Sequence, residues 1–247
     1  LRRAGVEVVA GVLSAQAERL NEGYNKFITT GLPLVTLKLA TTLDGRIATA
    51  SGESKYITGK EARGEVHKRR ARVDAIMVGS GTALEDNPSL NVRGVKGAVN
   101  PVRVLVDTRF RTPLDFKIFN KRGGRTIVYT TKRASAKKIK EARALGVTVV
   151  ELAKTKEGVS IKRVVRDLAK HGITSVMVEG GAALAASLLK GDLIDRLSLF
   201  IAPKILGGDS IETVGALDIK ALKNAIEVKS MKARKVGADI LIEGYIK

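Results

Sequence analysis

Residues 75–82 read Ala75-Ile76-Met77-Val78-Gly79-Ser80-Gly81-Thr82: four apolar residues in succession, then two glycines and hydroxyls. A second stretch has the same form, Ser175-Val176-Met177-Val178-Glu179-Gly180-Gly181-Ala182. An apolar run without polar alternation marks a strand covered on both faces, and a glycine turn after it lets the chain fold back over the sheet. Outward from these two, strand-like runs rich in β-branched residues recur at 34–40, 102–107, 126–130, 147–152, 196–202 and 239–245.

Helical patterns lie between many of these runs. Thr58-x-x-Glu61 has the form of a capping box ahead of a helix over 60–73. Ser160 stands where it caps a helix with Ile161, Val164, Val165 and Leu168 on one face, closed by Gly172. Ser135 to Leu145, with Gly146 behind it, repeats the scheme. Strand, helix and strand at this spacing predict right-handed crossovers and an α/β fold with a mainly parallel central sheet flanked by helices. The last third changes character, because 226–232 and 239–245 are two strand patterns separated by a short turn, which predicts a C-terminal antiparallel hairpin. At the other end, Val6, Val8 and Val9 form a short strand-like run. Ser14 then stands where it caps a helix whose stripe is Ala17, Leu20 and Tyr24, ended by Gly31-Leu32-Pro33. There is no Ser/Gly linker, repeat or low-complexity tract to divide this pattern.

With 247 residues and 44% hydrophobic content the chain can bury a large core, which excludes disorder as a description of the whole. No apolar run approaches the ~18 residues of a membrane-spanning helix. The absence of cysteine excludes disulfides and thiolate zinc sites and fits a reducing compartment, the cytoplasm. His67 and His171 begin no metal-binding pattern, so no metal site is expected and both read as ordinary helix residues. A phosphate-binding Walker loop is excluded too, since Ser54 stands where its first glycine is needed and Glu61 replaces its hydroxyl residue.

Charge is the strongest compositional signal: 44 Lys and Arg against 25 Asp and Glu give +19. Such a chain could meet nucleic acid, but aromatics are only 4% and tryptophan is absent, so platforms for base stacking are scarce. Solvated helix faces, with a subset of cations that attract an anionic small molecule, account better for the pattern.

Ligands of parallel sheets collect beyond the carboxyl ends of strands, which directs attention to four places. Gly79-Ser80-Gly81-Thr82 resembles a dinucleotide turn but lacks the third glycine, which would fall at Leu84. Gly180-Gly181-Ala182-Ala183-Leu184 reads as a glycine turn opening a helix, whose free amides and positive dipole end suit a pyrophosphate. Thr108-Arg109 sets a hydroxyl beside a guanidinium, a pair that can hold a phosphate. Lys38 lies inside an apolar strand that leads to Asp44-Gly45, and a cation there must be solvated or paired.

Taken in order, several segments together closely resemble the riboflavin-biosynthesis reductase family. They are Leu37-Lys38-Leu39-Ala40-Thr41-Thr42-Leu43-Asp44-Gly45-Arg46, Ser51 through Thr58, Arg69-Arg70-Ala71, Val78 through Thr82, Asp86-Asn87-Pro88-Ser89-Leu90 with Arg93, Val104 through Thr108, Val178 through Ala182, and Ile201 through Gly208. The resemblance implies a dihydrofolate-reductase-like fold, reduction of 5-amino-6-(5-phosphoribosylamino)uracil with NADPH, and a homodimer. In many bacteria this reductase follows a zinc deaminase in one chain. Residues 1–32 resemble the end of that deaminase half and residues 33–247 the reductase domain; the zinc motifs are not in this sequence, so no deamination is expected of it.

Carried over by position, the resemblance implies that Ser54, Arg70, Leu90, Arg93 and Glu179 contact the phosphoribosylaminouracil. It implies that Ala40, Tyr56, Thr82, Asp86, Thr108 and the turn Gly180, Gly181, Ala182, Ala183 and Leu184 surround NADPH. Tyr56 departs from the tryptophan common in bacterial members. Arg70 and Arg93 make a sensible clamp for a sugar phosphate carrying about −1.5 to −2 charges, and Arg109 beside Thr108 suits the 2′-phosphate of NADPH. Opening of the ribosylamine to an imine, whose C1′ accepts hydride, requires a proton. Lys38, Asp44 and Glu179 are the candidate catalytic residues. Two other functions compete: reduction of a pterin or folate on the same fold, and nucleic-acid binding through the basic surface. A noncatalytic NADPH sensor is a third.

Overall fold

The computed structural model describes residues 1–156 and 158–246. A short 3-10 turn at Arg2–Ala4 leads to α1 (Ser14–Leu20) and α2 (Glu22–Thr30). The central strand β1 (Leu34–Thr42) follows, then β2 (Arg46–Ala48), α3 (Lys60–Arg70), β3 (Ala75–Gly79), α4 (Ser80–Asp86) and β4 (Val102–Val106). Next come β5 (Thr126–Thr130), α5 (Ala136–Ala144), β6 (Thr148–Glu151), the two-residue strands β7 (Lys154–Thr155) and β8 (Gly158–Val159), and α6 (Ile161–Lys170). The chain ends through β9 (Ser175–Val178), α7 (Ala182–Lys190), β10 (Arg196–Ala202), β11 (Ile211–Glu212), β12 (Lys229–Val236) and β13 (Asp239–Tyr245).

Among the described residues these build one nine-stranded sheet in the order β12-β13-β10-β1-β9-β3-β4-β5-β6. Every pair from β10 across to β6 is parallel. β13 joins β10 antiparallel and pairs with β12, as the C-terminal hairpin requires. The fold is thus the expected α/β architecture.

The quoted run Ala75 to Val78 has no exposed surface at all. Its alternate side chains feed opposite cores, because successive residues of a strand point to opposite faces. Met77 joins Leu37, Val104 and Ile127 against Val164, Val165 and Leu168 of α6 and Leu184, Ala185 and Leu188 of α7. Ile76 and Val78 join Leu105 and Val128 against Ala83 of α4 and Ile139 and Ala142 of α5. A third cluster seats Ala62 and Val66 of α3 on Phe200 and Leu241.

Several local readings are corrected. The strand-like run at 6–9 forms no strand: it is mostly exposed and pairs with no strand among the described residues. The predicted helix from Ser14 breaks at Asn21, the cap shared by α1 and α2, and residue 13, not Ser14, precedes its first turn. Ala17, Leu20 and Tyr24, read as one apolar stripe, are exposed. α2 is instead held by ion pairs, Lys26 to Asp195 at 2.5 Å and Glu22 to Arg196 at 3.3 Å.

The Thr58–Glu61 capping box does not form: Gly59 is the cap residue of α3, with no side-chain cap of its own. Its amide donates instead to Asp239 Oδ2 at 2.7 Å, from the start of β13. α3 ends at Arg70 rather than Val73, and the first arm of the hairpin runs from Lys229 rather than Ile226. The bend at Gly79-Ser80 is itself a helix start, that of α4. Ser135 caps α5 as expected, accepting from the Lys138 amide, whereas Ser160 precedes α6 without a side-chain bond.

Candidate active site

Register sets the centre of the site. Leu37 of β1 pairs with Val178 of β9, so the next residues, Lys38 and Glu179, come side by side. Lys38 Nζ lies 4.0 Å from Glu179 Oε2 and 5.8 Å from the centre of the Phe200 ring. From the last turn of α3, Arg70 meets Glu179 in a fork: Nε donates to Oε1 at 2.7 Å and Nη2 to Oε2 at 2.9 Å. Its Nη1 donates to the carbonyl of Asn91 at 3.0 Å.

These groups set one another's protonation. Burial alone would raise the Glu179 carboxyl, but Arg70, with Lys38 and His67 adding to it, outweighs burial and holds the group below its ordinary value. Glu179 is therefore an anion and a hydrogen-bond acceptor. Lys38 goes the other way: burial, helped by Arg70, lowers its ammonium below the ordinary lysine value despite the pull of Glu179.

Asp44, the remaining candidate acid, is committed elsewhere. It accepts from Thr42 Oγ1 at 2.5 Å, from the Gly207 amide at 2.7 Å and from the Leu206 amide at 3.1 Å. These bonds, that from Thr42 foremost, hold its pKa at about 2. Asp44 fastens the segment after β10 to the turn after β1.

Other residues read from the sequence gather on the same side of the sheet. Ser54 Oγ donates to Asp86 Oδ1 at 3.1 Å, which ties a residue assigned to the substrate to one assigned to the cofactor. Lys55 Nζ is 3.5 Å from the same carboxylate. Tyr56 is 63% exposed, with the Arg63 guanidinium 4.1 Å over its ring. Ala40 shares the α3 face of β1 with Lys38, two residues on, beside the Phe200 cluster. The Leu90 side chain, 2% exposed, is in the core, so any contact it makes with a ligand is through its main chain. Arg93 is exposed on the segment after α4, and its guanidinium forms no ion pair among the described residues.

The glycine turns lie together at neighbouring strand ends. The Gly181 amide donates to Thr82 Oγ1 at 3.0 Å, joining the first turn of α4 to the start of α7. A Cβ on Gly180 would come within 2.6 Å of Leu184, so only glycine lets this turn pass over the core. Ala182 and Ala183 open α7, while Leu184 is buried beneath. Beyond β4, Ser80, Asp107, Thr108, Arg109 and Arg111 line a cavity of about 390 Å³. Asp107 Oδ2 is spent on the amide and hydroxyl of Thr112, at 2.9 and 2.8 Å. Thr108 Oγ1 accepts from the Val159 amide at 3.2 Å. Two helix starts beside a cavity with two exposed guanidiniums fit an anionic dinucleotide.

The sequence assigns no role to Asn91 or Arg111, places Ser80 only within the Gly79–Thr82 turn, and presents His67 as an ordinary helix residue. For His67 a signal existed: it precedes Arg70 by three residues on α3 and so shares its face. Its Nδ1 accepts from the Arg93 amide at 3.2 Å. Asn91 Oδ1 is buried and has no hydrogen-bond partner among the described residues.

Comparison with known proteins bears on the family and the fold. The family described as RibD C-terminal domain matches residues 33–242. The riboflavin biosynthesis protein RibD of Actinobacillus pleuropneumoniae is 38% identical over 244 residues, covering 98% of this chain and 65% of the relative. The chain therefore spans just under two thirds of the length of the curated relatives it matches first. A solved structure from Thermotoga maritima, a diaminohydroxyphosphoribosylaminopyrimidine deaminase/5-amino-6-(5-phosphoribosylamino)uracil reductase, superposes with TM-score 0.85 and 32% identity over 99% of this chain and 65% of that one. The riboflavin biosynthesis reductase Rib7 of Saccharomyces cerevisiae superposes with TM-score 0.70 and 26% identity over 93% of this chain and 98% of that one.

Proposed function

The chain belongs to the RibD C-terminal domain family, and from that premise we propose that it reduces 5-amino-6-(5-phosphoribosylamino)uracil to the ribitylamino product with NADPH. The observation that carries this reading is the Lys38–Glu179–Arg70 cluster, set beside two glycine-lined helix starts and a cationic cavity.

A bound nicotinamide would supply hydride to C1′ of the opened sugar; what remains for this chain is to bind, orient and deliver a proton. Thr82, Gly181 and the first turn of α7 would hold the pyrophosphate. Thr108 and Arg109 would hold the 2′-phosphate, and Ala40, Tyr56 and Asp86 would line the rest of the cofactor cleft. Ser54, Arg93 and the main chain at Leu90 would take the second reactant. Arg70, bound in a fork to Glu179, orients that carboxylate and keeps it ionised, leaving the anionic phosphate to Arg93.

Of the three candidate proton carriers, Asp44 is held at about 2 and Glu179 is held as an anion. Lys38 is the group with a proton to give, and its lowered pKa eases that transfer. Glu179 supports it by keeping the ammonium charged in a buried place.

Residues 1–32 would connect the reductase domain to a deaminase half, and two copies would associate as a cytoplasmic homodimer. Loss of absorbance at the reduced-nicotinamide band, on mixing the protein with NADPH and the phosphoribosylaminouracil, is the expected result. Turnover of dihydrofolate or a pterin in its place would overturn the substrate assignment.

A further inference from the structure

The following inference rests on the reduction proposed above. Arg93 lies on a segment between α4 and β4 that turns at Gly94 and Gly97, both with positive φ. Because its guanidinium has no ion pair among the described residues, the place it can reach is set by its main chain. That main chain is tied where the Arg93 amide donates to His67 Nδ1 at 3.2 Å. The neighbouring ties are Arg70 Nη1 to the Asn91 carbonyl at 3.0 Å and the Val92 amide to Asn100 Oδ1 at 2.8 Å. α3 thus grips this segment twice from one face, through Arg70, which also holds Glu179, and through His67.

We propose that His67 is a positioning residue for the phosphate of the second reactant. By accepting the Arg93 amide, it sets where the Arg93 guanidinium stands relative to the Lys38–Glu179 centre. An imidazole that accepts at Nδ1 carries its proton on Nε2, and a doubly protonated ring has no lone pair to offer the amide. The charged and polar groups facing the ring are Arg70 on its own helix, Arg93 and the Asn91 carbonyl on the segment, and Glu179 at the end of β9. Burial, then Arg70 and Arg93, hold the imidazole below its ordinary value against the opposing pull of Glu179 and the Asn91 carbonyl. The ring is therefore neutral and the tie intact at neutral pH, and the tie is lost as pH falls.

Steady-state kinetics of wild type, His67→Ala, His67→Asn and His67→Gln, with KM measured separately for NADPH and for the phosphoribosylaminouracil, test this. His67→Ala is expected to raise KM for the phosphorylated reactant about tenfold, the loss of one hydrogen bond, with kcat and the NADPH KM changed less than about threefold. Asparagine, whose side-chain oxygen reaches the place of Nδ1, restores that KM; glutamine does not. In wild type the same KM rises as pH falls below the ordinary imidazole range. In His67→Asn only the rise from the reactant's own second phosphate ionisation remains.

An unchanged KM in His67→Ala, equal behaviour of Ala and Asn, or a loss confined to kcat would overturn the proposal. A folded wild type that oxidises no NADPH would refute the reductase reading instead. The tie is then read by hydrogen exchange at the Arg93 amide, expected to be faster in His67→Ala than in wild type. Equal exchange would overturn the positioning role.

Discussion

Two groups of cations stand at the carboxyl end of the sheet, and they are built in opposite ways. Around Glu179, Lys38 and Arg70 are nearly enclosed, with side chains 14% and 13% exposed and each charge opposite a partner. Beyond β4, Arg109 and Arg111 are exposed, and the Asp107 carboxylate lining the same cavity is turned to Thr112. Enclosure costs desolvation but fixes distances and shifts proton affinities, so the first group suits chemistry. Exposure leaves guanidiniums free to meet an anion and to be screened by salt, so the second suits affinity and selection.

The largest effect expected from this contrast belongs to Lys38→Met, which keeps length and removes the proton. kcat should fall by roughly 10²–10⁴-fold, the usual worth of general acid catalysis, while NADPH binding measured by fluorescence is retained. In wild type the activity needs the charged ammonium, so it should be lost as pH rises through a pKa below the ordinary lysine value. A variant with normal kcat would move the chemistry out of the enclosed group.

Glu179→Gln comes next. It leaves Arg70 and Lys38 buried without their counter-charge, and breaking such a pair costs about 3–5 kcal/mol, measurable by denaturant unfolding. The sign with pH follows from a carboxyl held low in the folded state. Its contribution is complete above the unfolded carboxylate pKa and lost as pH falls through the lower folded value. The variant should therefore lose part of the acid dependence of stability. Its residual activity should also fail at lower pH than in wild type, since Glu179 raises the pKa of Lys38. Unchanged stability would mean that the fork is ornamental.

Arg109→Ala tests the exposed group and should do less. One charge-assisted contact is worth about 1.5–3 kcal/mol, so KM for NADPH should rise roughly 10–100-fold while that for NADH barely moves, and the salt dependence of NADPH binding should weaken. An intact preference for NADPH would transfer the reading of the 2′-phosphate to other residues.

What the sequence makes legible follows from how far apart the partners are. The units at 75–82 and 175–182 are readable because burial on both faces leaves an uninterrupted apolar run, a local property. The cap of α3 is not: Thr58 and Glu61 have the right spacing, but the Gly59 amide is taken by Asp239, 180 residues away. Arg70 and Glu179 are both recognisable as site residues, yet their fork, across 109 residues, appears only when β9 and α3 are placed together. Once formed, it turns Arg70 from a phosphate anchor into the partner of a carboxylate. For His67 the three-residue spacing to Arg70 marks the face it shares, but its partner, the Arg93 backbone amide, leaves no trace in residue type.

Asp44 sharpens the comparison with the smallest effect. It lies in a site where three acidic or ammonium groups could carry a proton, yet it belongs to neither group of cations. Its oxygens take the Thr42 hydroxyl and the amides of Leu206 and Gly207, and these bonds hold it at about 2. Such a carboxylate stays ionised through the working range. Its contribution is fully present above the unfolded aspartate pKa and lost as pH falls towards about 2. Asp44→Asn keeps one acceptor oxygen, so kcat near neutral pH should change by less than about threefold, against the far larger loss assigned to general acid removal. The change should appear instead as faster hydrogen exchange at the Leu206 and Gly207 amides, with the rest of the sheet unaffected. A collapse of kcat together with unaltered exchange at those amides would make Asp44 the proton carrier and leave the enclosed Lys38 as its electrostatic support.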